Sequence, residues 1–178
     1  MTEAIQQHQL LQDRENFERL AVTDPVTGLY NHRHFQNHLT IEVERAKRHG
    51  RILSLIMIDI DLFKNFNDAK GHPEGNRLLQ SVGQILKDSV RNIDVVFRYA
   101  GDEFAILLPD TDKAHAKEVA ERVRLKTEQQ LKDATLSLGI ASFPADATNF
   151  EDLVEKADQA LYLAKRSGKN QTVVAGND

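Results

Sequence analysis

The sequence predicts an α/β domain in which a mixed or antiparallel central sheet is flanked by helices, with a connector helix in front of it. Three observations carry this expectation. Short apolar segments with strand character alternate with segments whose apolar residues recur at helical spacing. Two of the short strands are joined by Ala100-Gly101-Asp102, a turn too tight for anything but an antiparallel pair. The length of 178 residues suits one domain of about 100–200 residues with a short appendage.

The elements follow in order. From Thr2 to about Val22 the chain is polar, with Ile5, Leu10, Leu11, Phe17 and Leu20 at roughly helical spacing, too sparse to bury against a large core. This is the connector helix, and Leu10, Phe17 and Leu20 form a heptad-like seam that Gln6 and Asp13 interrupt. Asp24-Pro25 ends it, because proline disfavours helical geometry in the preceding residue. The chain therefore divides into a connector over residues 1–22 and a domain over residues 23–178.

Asn31 is positioned to cap a helix whose Phe35, Leu39, Val43 and Ala46 share one face, and Gly50 to close it. The apolar run Ile52–Ile60 reads as a buried strand, well short of the ~20 residues a membrane span needs. Asp61 stands at the end of that strand, and Asp68 follows in the next loop. A helix from about Pro73 to Val90 carries Leu78, Val82 and Ile85, and the strands Val95–Tyr99 and Glu103–Leu108 form the hairpin. Helix Lys113–Gln129, strand Leu136–Phe143 with a glycine at its middle, helix Phe150–Ser167 and strand Gln171–Val174 complete the pattern.

Composition narrows the chemistry. There is no cysteine, so disulfides, thiolate metal sites and a cysteine nucleophile are excluded. A net charge of −4 offers no basic field for nucleic acid, so an anionic ligand would need local cations or metal. The polar N-terminus is no secretory signal, and the expected setting is cytoplasmic without membrane insertion. No Gly-x-x-x-x-Gly-Lys loop is present, and His34 and His38 lack the glutamate of a metalloprotease motif.

Carboxylates concentrate at two places. Asp59 and Asp61 end the buried strand with side chains expected on one face, and Asp102-Glu103 occupy the hairpin tip beside Gly101. Strand-end carboxylates are oxygen donors suited to magnesium, which completes its shell with water and substrate phosphates.

Arg98-Tyr99-Ala100-Gly101-Asp102-Glu103-Phe104 resembles the signature of the GGDEF family of diguanylate cyclases, with Ala100 in place of the first glycine. Asp24-Pro25-Val26-Thr27-Gly28-Leu29-Tyr30-Asn31 is similar to the family's opening motif, and Asp59 to Asp68 to its metal and substrate segment. Gly71-His72, Ser137-Leu138-Gly139-Ile140-Ala141 and Ala160-Leu161-Tyr162-Leu163-Ala164-Lys165 follow in family order, so the match is collinear from about Thr23 to Val174.

The resemblance implies a fold like the nucleotide-cyclase and polymerase palm, and condensation of two GTP into cyclic di-GMP with loss of two pyrophosphates. It implies Mg2+ or Mn2+ on Asp59, Asp102 and the backbone of Ile60, with Glu103 assisting the metal and the deprotonation of the attacking hydroxyl. Phe63, Lys64, Lys165 and Lys169 are implied at the phosphates, and Asn67 and Asn76 at the guanine. Lys169 stands where the family commonly has arginine, and Asn76 where it usually has aspartate. Each domain holds one GTP, so a homodimer is implied, under an upstream sensor. Arg91-Asn92-Ile93-Asp94 matches the spacing of an inhibitory product site, with Arg122 from a second inhibitory surface. Ala100 would crowd the turn if that position needed a positive φ. The alternatives are a degenerate domain that only senses cyclic di-GMP and a cyclase with relaxed choice between GTP and ATP.

Overall fold

The computed structural model describes residues 5–12 and 21–176, and residues 5–12 are helical with Ile5, Leu10 and Leu11 exposed. Phe17 and Leu20 of the expected seam lie outside the described residues. Helix α1, His32–His49, begins at Asn31, whose side chain accepts from the His34 N–H, and ends at Gly50. Its buried residues are Phe35, Leu39, Val43 and Ala46.

Strand β1, Leu53–Ile60, is buried at every position, which explains why it reads as an apolar run, broken at Ser54 and Asp59, rather than an alternation. It lies at the centre of a five-stranded sheet completed by β2 (Val95–Ala100), β3 (Glu103–Pro109), β4 (Leu136–Phe143) and β5 (Thr172–Val174), in the order β2-β3-β1-β4-β5. Pairing is antiparallel except between β4 and β5, which run parallel. The mixed sheet is thus as expected.

Period-two alternation divides the core. Ile56, Ile58 and Ile60 face a cluster with Leu78, Leu79, Val82 and Leu86 of helix α3 (His72–Lys87) and Ala116, Ala120 and Val123 of helix α4 (Lys113–Gln130). Leu53, Leu55 and Met57 face α1 and helix α5 (Phe150–Arg166), whose Leu153, Ala157 and Leu161 are buried. The same alternation points Asp59 to the α1 and α5 side.

One element differs from the sequence reading. Phe63–Lys70, expected as loop, forms helix α2. None of its residues is buried, so no apolar stripe announces it, and Phe63 and Phe66, one turn apart, only lean on the core. Leu62 precedes it at φ 56°, a left-handed conformation that costs about 1–2 kcal/mol in a non-glycine residue. Among the described residues, no helix is long and apolar enough to cross a membrane.

Candidate active site

The site forms where β1 ends. β1 and β3 pair in a register that sets Asp59 opposite Glu103, and the Ile60 N–H donates to the Asp102 carbonyl over 3.1 Å. The carboxylates that are 43 residues apart in sequence, Asp59 and Asp102, are brought together by this ladder. Lys165 arrives from α5, its Nζ 3.1 Å from Asp59 Oδ2.

Close packing delivers that lysine. A Cβ added at Gly139 of β4 would sit 2.2 Å from the Leu161 nitrogen and 2.3 Å from the Ala157 carbonyl. Only glycine lets α5 lie this low on the sheet, and Lys165 follows Leu161 by one helical turn.

Electrostatics reflect the crowding of like charge. Burial pushes the Asp59 carboxyl up to about 6, reinforced by Asp102 and Glu103 and opposed by Lys165. Glu103 is also raised, by burial first and then by Asp158 and Asp102. Lys165 is raised: burial opposes its charge, but Asp59, Asp102 and Glu103 outweigh it. Asp158 is itself raised by burial.

Asp61 plays a different part from Asp59. Its carboxylate accepts from Thr135 Oγ1 at 2.7 Å, Ser137 Oγ at 2.6 Å and the Asn170 N–H at 3.0 Å. Filled by these donors, it ties the start of α2 to β4 and to the turn after α5.

The hairpin tip is braced from below. Arg98 Nε and one terminal nitrogen donate to the Gly101 carbonyl at 3.1 and 2.8 Å, while the other terminal nitrogen reaches Asp24 Oδ1 at 3.0 Å. Burial alone would raise the Asp24 carboxyl, but donors from Thr27 and Arg98 hold it below its ordinary value. His32 Nδ1 lies 2.9 Å from the Tyr99 carbonyl, with its ring 4.6 Å from the tyrosine ring. Ala100 has no positive φ, so its methyl causes no backbone strain at the turn.

The remaining candidates fall in two groups. Phe63 and Lys64 begin α2, whose first N–H groups have no intrahelical partner. Asn67 is half-buried on α2, Asn76 is exposed at the start of the second turn of α3, and Lys169 lies in the turn after α5 at φ 64°. Arg91 and Arg122 stand elsewhere, lining a cavity of about 400 Å³ with Asp110, Thr111, Asp112 and His115. Arg91 is held there by Asp94 at 2.8 Å and Thr111 Oγ1 at 2.8 Å, and Arg122 by the Ser89 carbonyl at 2.7 Å. The Asp94 side chain is only 1% exposed and also accepts from the Arg91 N–H, so it backs the arginine rather than lining the cavity.

Sequence reasoning missed Arg98, His32 and Asp158 as parts of this neighbourhood. Asp158 and Lys165 are seven residues apart on one helix and so share a face, a signal that was available. Arg98 and His32 brace the tip through the Gly101 and Tyr99 carbonyls, which no side-chain pattern reveals, and the Arg98 pair with Asp24 spans 74 residues of chain.

The model of the GGDEF domain of diguanylate cyclases matches residues 21–171. The chain belongs to the GGDEF family. It is 37% identical over 163 residues to the response regulator PleD of Caulobacter vibrioides, covering 86% of this chain and 36% of PleD. It is 39% identical over 170 residues to the diguanylate cyclase DosC of Escherichia coli, covering 89% of this chain and 37% of DosC. The chain thus spans little more than a third of these relatives. The coiled coil and GGDEF domain of DgcB from Caulobacter crescentus, solved in complex with c-di-GMP, superposes with a TM-score of 0.89 at 27% identity, covering 98% of this chain and 96% of that one. A GGDEF-domain structure of PA1120 from Pseudomonas aeruginosa gives 0.81 at 32% identity, covering 86% and 94%. The GGDEF fold is the palm-like sheet expected from the resemblance.

Proposed function

We propose that the chain is the catalytic domain of a diguanylate cyclase, behind a connector over residues 1–22 that couples it to an upstream sensor. The observation that carries this reading is the convergence of Asp59, Asp102 and Glu103 with Lys165 at the end of the central strand.

The donor set suits a hard divalent cation. Burial raises Asp59 first and the charge of Asp102 adds to it, a repulsion that a cation would relieve. Among the described residues no cluster of three or more acidic or imidazole side chains is arranged to hold a metal, and magnesium asks for only one or two carboxylates when phosphates complete its shell. Asp59, Asp102, Glu103 and the backbone of Ile60 would hold it. When bound, Mg2+ or Mn2+ supplies Lewis-acid polarisation of the phosphoryl oxygens.

In the reaction, the 3′-oxygen of one GTP attacks the α-phosphorus of the GTP held by a second copy. The new P–O bond forms as the bond to pyrophosphate breaks, and the reciprocal step closes the ring. Glu103, whose raised affinity for protons brings it nearer neutrality, accepts the proton of the 3′-hydroxyl. The opening N–H groups of α2 at Phe63 and Lys64, together with Lys165 and Lys169, meet the triphosphate. Asn67 and Asn76 meet guanine. Because one domain presents one such site, catalysis needs a homodimer, and positioning supplies much of the rate. Cyclic di-GMP inhibits through the Arg91 and Arg122 cavity, with Asp94 holding Arg91. The ordinary backbone at Ala100 favours an active domain over a degenerate sensor.

Incubation with GTP and magnesium should give a product with the mass of cyclic di-GMP. Asp102→Ala and Glu103→Ala should abolish it with the circular dichroism spectrum retained, because both side chains stand at a half-exposed hairpin tip. Wild-type production by Asp102→Ala would refute the assignment.

A further inference from the structure

Asn67 carries the one buried side-chain polar atom, among the described residues, that lacks a hydrogen-bond partner: its Oδ1. Such orphans are rare because each forfeits the hydrogen bonds it had in water. The reason it is buried lies across the α2 and α3 junction. A Cβ built on Gly75 would fall 1.8 Å from Asn67 Oδ1 and 2.9 Å from its Cγ. The carboxamide of Asn67 therefore occupies the volume that any other residue at position 75 would fill.

Helix propensity argues against glycine there. Gly75 lies one full turn inside α3, its N–H donating to the Gly71 carbonyl at 3.1 Å, and its φ is not in the left-handed region. Alanine is the better residue in such a place. The glycine makes sense through what it admits.

We propose that Gly75 is a positioning residue for base selection, its missing side chain forming the socket that seats the Asn67 carboxamide for guanine. This rests on the reading of Asn67 as a guanine contact in the proposed function. With its oxygen sealed against Gly75, the carboxamide turns its Nδ2 hydrogens toward a ligand. These donors suit the O6 carbonyl of guanine, whereas adenine carries a 6-amino donor at that place and is discriminated against.

Gly75→Ala tests the socket. The nearest atoms to the new methyl belong to the end of the Asn67 side chain, so the carboxamide moves and the backbone stays. Binding is measured by calorimetry with the α,β-methylene analogues of GTP and ATP in magnesium, for wild type, Gly75→Ala, Asn67→Ala and the double variant, alongside thermal melts. Gly75→Ala should melt no lower than wild type yet bind the GTP analogue about tenfold more weakly, one hydrogen bond's worth, with the ATP analogue little changed. In the Asn67→Ala background it should cost nothing further, because coupled residues are not additive. Unchanged affinity, a loss that adds to that of Asn67→Ala, or a lowered melt would overturn the assignment. Failure of the wild type itself to bind the GTP analogue would instead overturn the proposed function.

Discussion

Asp59→Asn should stabilise the metal-free protein at neutral pH while abolishing cyclase activity. Asp59 is 5% exposed, and its carboxyl is pushed from 3.8 up to about 6 by burial and then by Asp102. The folded state thus holds this proton more tightly than the unfolded chain does. Stability from this group is fully present below pH 3.8, falls as the pH rises, and is lost above about 6. At ~1.4 kcal/mol per unit, the charge costs up to about 3 kcal/mol at pH 8. That cost is already net of the attraction of Lys165, so the amide should gain about 1–3 kcal/mol, or roughly 2–10 °C in Tm for a chain of this size. The assay is thermal and urea denaturation of both proteins in EDTA at pH 8 and pH 3.5. The gain should be present at pH 8 and shrink to a few tenths of a kcal/mol at pH 3.5, where the folded wild type is protonated at this position and the unfolded chain mostly so. Added magnesium should then stabilise only the wild type, by mass action on the folded state. A variant less stable than wild type at pH 8, or a difference independent of pH, would refute the reasoning.

Three further outcomes follow from the contacts. Arg91→Ala should weaken cyclic di-GMP binding in calorimetry and also cost about 1–3 kcal/mol of stability, because it strips side-chain donors from the buried Asp94 carboxylate; equal product affinity in the variant would remove Arg91 from the inhibitory site. Arg98→Ala should lower turnover and Tm together by releasing Gly101 and Asp24, and Arg98→Lys should rescue only in part since it lacks the fork; wild-type turnover and melting in Arg98→Ala would dismiss the brace. Asn76→Asp should tighten the preference for GTP over ATP by about tenfold, since a charged acceptor bonds more strongly than a neutral one, read as the ratio of cyclic di-GMP to mixed and adenine-only products; the same ratio in both proteins would count against a base contact at position 76.

Much of the architecture was legible because local rules and tertiary demands agree. β1 is buried on both faces and is apolar except at Ser54 and Asp59, α1 has its Asn31 cap and an apolar face, and the Ala100-Gly101-Asp102 turn admits only a hairpin. The collinear motifs then named the family from residues that spacing alone left ambiguous. Helix α2 was not legible, because a polar eight-residue helix entered through a left-handed leucine has neither a buried stripe nor a side-chain cap.

What the sequence determined by itself is the set of chemical groups: which carboxylates, lysines and asparagines exist, on which elements they ride, and which face each strand residue takes. What only the tertiary structure decided is how those groups are spent. Asp59 and Asp61 are chemically identical and two residues apart, yet one faces Asp102, Glu103 and Lys165 while the other is saturated by Thr135, Ser137 and Asn170. Arg91 and Asp94 read as two ligand contacts, but the aspartate is buried behind the arginine. Gly75 and Gly139 stand inside a helix and a strand, where glycine packs nothing of its own, and each makes room for a neighbour. These distinctions depend on atoms contributed by segments distant in the chain, and burial, donor supply and free volume exist only once those segments have packed.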